Sequence, residues 1–243
     1  MRLAIMQPYF FPYIGYFQLL AAVDRFVVYD NIKYTKKGWI NRNRMLVNGR
    51  DALFTVPLKR GSDALNIGER ELHDGFDRTR LLAQFRSAYR RAPFFNETIA
   101  VVERVVMHDD KNLFGFLKNS IATIASHLNI QTELCVSSEL PTDHSLASQD
   151  KVLAICKQLG ATTYINSMGG RSLYAADSFA DQGIDLQFME SGTLAYPQFS
   201  GTFVPSLSII DVMMFCPPSQ IAETLASGYV LHLATSSQSI AVQ

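Results

Sequence analysis

The stretch from Leu3 to Asn31 constrains the fold most. Leu3, Ala4, Ile5 and Met6 form a short unbroken apolar run, the pattern of a strand covered on both faces of a parallel sheet. Pro8 and Pro12 then stop it, because neither can donate a ladder hydrogen bond and each pushes its predecessor out of the helical region. A helix is expected from Tyr13 or Ile14 to about Val23, and Phe26 to Tyr29 reads as a second strand ending at Asp30 and Asn31. Strand, helix and strand at this spacing make a βαβ unit. Its right-handed crossover puts the loop from Gln7 to Tyr16 on the same sheet edge as Asp30 and Asn31. In open α/β sheets ligands settle outside the carboxyl ends of the strands, so this edge is where chemistry is expected.

The loop is crowded with rings. Phe10, Phe11 and Phe17 read as core. Gln7, Tyr9, Tyr13 and Tyr16 carry polar tips that need partners if buried, and they are candidates to line a ligand site. Gly15, in the first turn of the helix, would let a ligand or another backbone come close.

The chain has 243 residues, 48% of them hydrophobic, enough for one large domain. The 22 basic and 22 acidic residues cancel, which argues against a DNA-binding role, but the charge is unevenly placed. From Arg25 to Arg91 there are fifteen Lys or Arg against seven Asp or Glu, so this third favours an anionic small-molecule ligand. Cys135, Cys156 and Cys216 are too far apart for a C-x-x-C pair. Together with the missing signal peptide they predict a cytoplasmic protein. No run is long and apolar enough for membrane insertion, and the five histidines lack metal-ligand spacing, so no metal is expected.

From Lys33 to Arg50 there are six basic residues, no acid and the single tryptophan, Trp39. Lys36, Asn41, Arg42 and Arg44 around this ring suit a phosphate beside a stacked base or sugar. Asn48-Gly49 between Met45–Val47 and Leu53–Val56 predicts a tight hairpin. From about 76 to 128 apolar residues recur at three- and four-residue spacing, which predicts three helices forming a sub-lobe beside the sheet. Strands are then expected at 134–136, 162–165 and 184–188, with helices at 148–159 and 173–182 between them. The fold class is therefore α/β, a mostly parallel doubly wound sheet with a β-hairpin and a helical insertion. Asn166, Gly169 and Gly170 sit in a strand-to-helix turn that suits an anion. Asp211 lies in an apolar helix expected over 203–215. Its S-x-x-D spacing from Ser208 reads first as a capping box, with a role as base or substrate anchor the alternative. A helix is expected at 219–226, and the tail from Ala234 reads as frayed.

Several of these motifs together resemble the WbqC-like family of bacteria. They are the run from Gln7 to Phe17, the strand from Asp24 to Asp30, Lys36 to Arg44, Tyr89 with Ala92 and Pro93, Tyr164 to Gly170, and Leu207 to Asp211. One departure is Phe76, where many relatives are expected to have tryptophan. The resemblance implies a transferase of surface-polysaccharide (O-antigen) biosynthesis, and some members are described as glycine transferases that acylate an amino sugar. The opening is also similar to that of pantothenate synthetases and other nucleotidylyltransferase-type folds, which hold ATP phosphates with an H-x-G-H motif. Here those positions read Tyr13, Ile14, Gly15 and Tyr16, and tyrosine brings no positive charge to a phosphate. Lys36, Lys37, Arg42 and Arg44 are candidates to supply it.

The expected function is transfer of a glycyl or other small acyl group onto a nucleotide-linked amino sugar. Asp30 or Asp211 would be the general base for the attacking amine. ATP, another activated acyl donor or a charged tRNA would supply the acyl group. The alternatives are an ATP-dependent ligase or nucleotidyltransferase of the same pathway, and a non-catalytic assembly protein.

Overall fold

The computed structural model describes residues 1–199 and 201–235. Its elements run β1 (Arg2–Met6), α1 (Ile14–Ala21), β2 (Arg25–Val28), β3 (Arg42–Val47), β4 (Arg50–Thr55), α2 (Arg78–Tyr89), α3 (Phe95–Val106), α4 (Leu113–His127), β5 (Glu133–Val136), α5 (Ser148–Leu159), β6 (Thr163–Ser167), α6 (Ala176–Ala180), β7 (Asp185–Ser191), α7 (Ile209–Phe215), α8 (Pro218–Ser227) and β8 (Tyr229–Leu233). Six strands form one sheet in the order β5-β2-β1-β6-β7-β8, with β3 and β4 apart as a hairpin. All neighbours in the sheet are parallel except β7 and β8. The expected α/β class, mostly parallel with a separate hairpin, is what the chain adopts.

The chain steps outward from β1 through β2 to β5, then returns to the other side of β1 with β6 and β7. The boundary between β1 and β6 is therefore the point where the winding reverses, the usual place for a ligand in such sheets. Leu3 and Ile5 pack into the core on the α5 face, and Ala4 and Met6 pack with α1 on the other. That two-sided burial is why the opening run carries no polar alternation.

The helical stretch is fused to the rest through aromatic packing. Phe10 and Phe11 meet Phe54 of the hairpin, Phe85 of α2 and Phe116 of α4 with ring centroids 5.5–6.3 Å apart. Each such ring, fully buried, contributes about 1.5–3 kcal/mol. Phe10, Phe11 and Phe17 are thus core, as read from the sequence.

Three expectations are corrected. The helix expected at 173–182 shrinks to α6, because Met168–Leu173 forms a 3-10 turn and Tyr174 and Ala175 are extended. The Ala175 N–H is held there by Gln149 Oε1 at 2.6 Å, so that the Tyr174 ring packs against Tyr164 and Phe179. The helix expected over 203–215 begins only at Ile209, since Ser206 has φ +55° and the Ser208 N–H bonds to the Arg44 carbonyl. Finally, Tyr229–Leu233 is an antiparallel edge strand that was not foreseen. The Ala234 N–H still bonds to the Leu186 carbonyl, and the expected fraying beyond Thr235 lies outside the described residues.

Candidate functional site

The carboxyl edge is shaped first by backbone. The Tyr29 N–H donates to the Met6 carbonyl at 2.9 Å, closing β2 onto β1 beside Gln7. Gln7 follows the alternation of Leu3 and Ile5 toward the α5 face. It is half-buried, and its amide has no hydrogen bond to another described residue. Asp30, 7% exposed, accepts one hydrogen bond at Oδ1 from the Ser138 N–H at 2.9 Å. Its Oδ2 accepts none from the described residues and lies beside Gly68, where an added Cβ would sit 3.4 Å away. Asn31 is tied on both sides, taking a bond from Ser137 Oγ at 2.7 Å and meeting His144 Nδ1 at 3.0 Å.

Across the boundary, Asn166 ends β6 and its Oδ1 accepts the Ser167 N–H at 2.7 Å. A Cβ on Gly170 would come within 2.7 Å of Asn166 Nδ2, so that amide would have to shift, whereas one on Gly169 would only touch Ser167 Oγ at 3.9 Å. Tyr164 donates to the Tyr174 hydroxyl at 3.3 Å, and burial pushes both phenols up.

The four polar-tipped residues of the opening divide. Tyr13 is 40% exposed. Tyr9 is half-buried, and desolvation raises its pKa. Its ring lies edge-on to Tyr16 at 5.7 Å. Tyr16 sinks into the core against Phe17 and Phe26, and its hydroxyl is buried without a partner among the described residues. Gly15 does admit a close approach, but the space is filled from within: a Cβ would strike the Tyr13 ring and come within 2.5 Å of Ser191 Oγ.

The opening loop and the Trp39 segment lie together. The Phe10 N–H donates to the Ile40 carbonyl at 3.0 Å, and Asn43 Nδ2 donates to the Phe11 carbonyl at 2.8 Å, holding Phe11 at φ +44°. Their common border is packed by Phe10, Ile40 and Phe54. Trp39 itself is 43% exposed. Arg44 sits 5.6 Å from that ring and donates to the Ser206 carbonyl at 3.0 Å. Ser206 in turn lines, with Tyr13, Ile14 and Ser191, a cavity of about 170 Å³. A whole nucleotide sugar needs at least about 300 Å³, so only a small group fits.

Three of the cations marked in the sequence, Lys36, Arg42 and Arg44, already have protein partners, while the Lys37 side chain has none among the described residues. Lys36 pairs with Asp63 on the surface, Arg42 donates to the Gly38 and Lys37 carbonyls, and Arg44 also reaches Asp51 at 3.4 Å. Asn41 is buried between Tyr34 Oη and the Val56 carbonyl, bracing the segment.

Asp211 is elsewhere and fully enclosed. Ser208 caps α7 by accepting the Ile210 N–H at 3.2 Å, but the Asp211 carboxylate does not complete the capping box. It accepts from Tyr89 Oη at 2.9 Å, Tyr196 Oη at 2.7 Å and Gln198 Nε2 at 2.6 Å. Desolvation raises its pKa against those three bonds. The hub ties α7 to α2, to the 194–204 segment and, through the Leu46 N–H on Tyr89 Oη, to the hairpin.

Sequence reasoning missed Lys151, in the first turn of α5. It is 4% exposed, donates to the Asn31 carbonyl at 3.2 Å and lies 5.0 Å from the centre of the Tyr29 ring. One lysine among ordinary helix formers gives no signal of burial.

The model of the WbqC-like protein family matches residues 7–223, a span that takes in the opening loop, Asp30, the Trp39 segment and α7. The chain belongs to the WbqC-like protein family. This WbqC-like chain is also 30% identical, over 220 residues, to the uncharacterized protein Rv1507c of Mycobacterium tuberculosis. The match covers 87% of this chain and 92% of that protein. No solved structure matches. No helix among the described residues is long and apolar enough to cross a membrane.

Proposed function

We propose that this WbqC-like protein is a transferase of bacterial surface-polysaccharide biosynthesis that moves a glycyl or other small acyl group onto the amine of an amino-sugar precursor. The pathway rests on the family resemblance, and the chemistry rests on Asp30. Its carboxylate is fixed at one oxygen by the Ser138 N–H while the other is uncommitted, at the edge of the sheet where a ligand would lie. An ammonium must lose a proton before its nitrogen can attack a carbonyl, and Asp30 Oδ2 is the acceptor for that proton. Asp211 is fully enclosed and already accepts from three side chains, so its part is to position α7 and Tyr196.

Gln7, Tyr9 and Tyr13, with Asn166, Gly169 and Gly170 across the boundary, shape the pocket, and Tyr16 backs Tyr9. Trp39 stacks the base or sugar of the nucleotide-linked precursor. Arg42, Arg44 and Lys36 turn from their present partners to its phosphates. The test is incubation of the purified protein with a nucleotide-linked amino sugar, glycine and ATP, or glycyl-tRNA in place of the last two. The expected product is the acceptor heavier by one glycyl residue. No acylated product with any donor removes the reading, and pyrophosphate release from ATP without acylation favours a nucleotidyltransferase.

A further inference from the structure

We infer that Lys151 anchors an anionic group of the bound ligand, a phosphate or a carboxylate, at the carboxyl end of β2. The inference rests on the transferase reading for its location, but its own grounds are separate. An ammonium has three N–H donors, and here one is used, on a neutral carbonyl. No carboxylate of the described residues lies within ion-pair distance of Nζ. The other contact is the face of the Tyr29 ring, which attracts a cation but leaves the N–H groups unbonded.

Burying a lysine this way is costly unless something repays the lost hydration. Desolvation accordingly drives its pKa down, while Asp30 acts in the opposite sense from beyond contact distance. A ligand anion supplies the missing partner. The position fits, since Tyr29 lies beside Gln7 at the strand ends and the first turn of α5 points its own N–H groups to the same edge. An anion on Lys151 leaves Asp30 for the amine, so the two charges divide the ligand between them.

The test titrates the wild type, Lys151→Met and Lys151→Arg with inorganic phosphate, pyrophosphate and acetate, read by calorimetry and by Tm. At least one anion is expected to bind the wild type saturably, with Kd at least tenfold weaker in Lys151→Met and partly restored in Lys151→Arg. A response to phosphate or pyrophosphate alone names a phosphorylated ligand, and a response to acetate names a carboxylate. Ligand-free Lys151→Met is expected to melt no lower than wild type, because an apolar chain replaces a desolvated charge. Anion binding equal in wild type and Lys151→Met overturns the inference, as does a wild type that binds none of the three. So does a ligand-free Lys151→Met that melts well below wild type, which marks a purely structural lysine. Acylation assays separate the two readings: Lys151-dependent anion binding without acylation keeps this inference and removes the transferase. Acylation by Lys151→Met with unchanged KM does the reverse.

Discussion

Asp211 and Asp30 are both buried carboxylates, and their surroundings differ in kind. Asp211 accepts three side-chain hydrogen bonds from residues 122, 15 and 13 positions away, while Asp30 accepts one, from a backbone N–H. A fully enclosed carboxylate with three of its roughly four lone-pair sites engaged holds a structure together and offers little to another partner. One with an open oxygen at a strand end is available to a ligand. The contrast separates two acids that look alike as letters in a sequence.

The largest expected effect comes from removing the hub. Asp211→Ala leaves the Tyr89 and Tyr196 hydroxyl protons without an acceptor in the core and takes one of two acceptors from the Gln198 amide, at about 1–3 kcal/mol for each group left unsatisfied. Urea unfolding should therefore show a loss of more than about 3 kcal/mol, or no soluble protein. A loss under 1 kcal/mol would break the comparison from the structural side. Next comes Asp30→Asn, expected to lower acyl transfer at least about 100-fold while its urea midpoint stays near that of the wild type. Transfer at the wild-type rate would break it from the chemical side.

A pH series sharpens the contrast further. Burial raises the Asp211 pKa above its unfolded value, so the folded state binds this proton more tightly than the unfolded state does. Stability from this group is fully present below the unfolded pKa, near 3.8, and is lost as pH rises through the folded value. Urea midpoints of wild type relative to Asp211→Asn should then fall from pH 4 toward neutrality, and a rising difference would refute the sign. The smallest effect is expected from Tyr16→Phe. It removes a buried hydroxyl that has no partner among the described residues, so stability should be unchanged or up to about 1 kcal/mol higher. A raised KM in that variant would show that the hydroxyl meets substrate.

Much of this fold can be read from local pattern. Asn48 and Gly49 both take positive φ, +50° and +75°, as a tight hairpin demands. The three helices between 78 and 127 match the three- and four-residue spacing of their apolar positions. What stays hidden depends on distant partners. Nothing near Lys151 announces that α5 will press it onto Tyr29. Nothing near Asp211 reveals Tyr89 at the far end of a helix. β8 escapes because an edge strand with exposed Val230 and Leu233 has no clean alternation. The candidate site divides the same way: the placing of Gln7 and Asp30 at one edge follows from the βαβ unit, while the use of Arg42 and Arg44 on carbonyls of their own chain does not.

The strap ahead of α7 has a consequence for how the molecule is made. The Ile209 N–H holds the Pro12 carbonyl at 2.9 Å, and the Ser208 N–H holds the Arg44 carbonyl at 2.9 Å. The loop after the first strand therefore acquires its final shape only when Ser208 and Ile209 have left the ribosome. Contacts of such long sequence separation are slow to close, and a nascent chain stalled before Ser208 would carry its tyrosines on an unfinished turn.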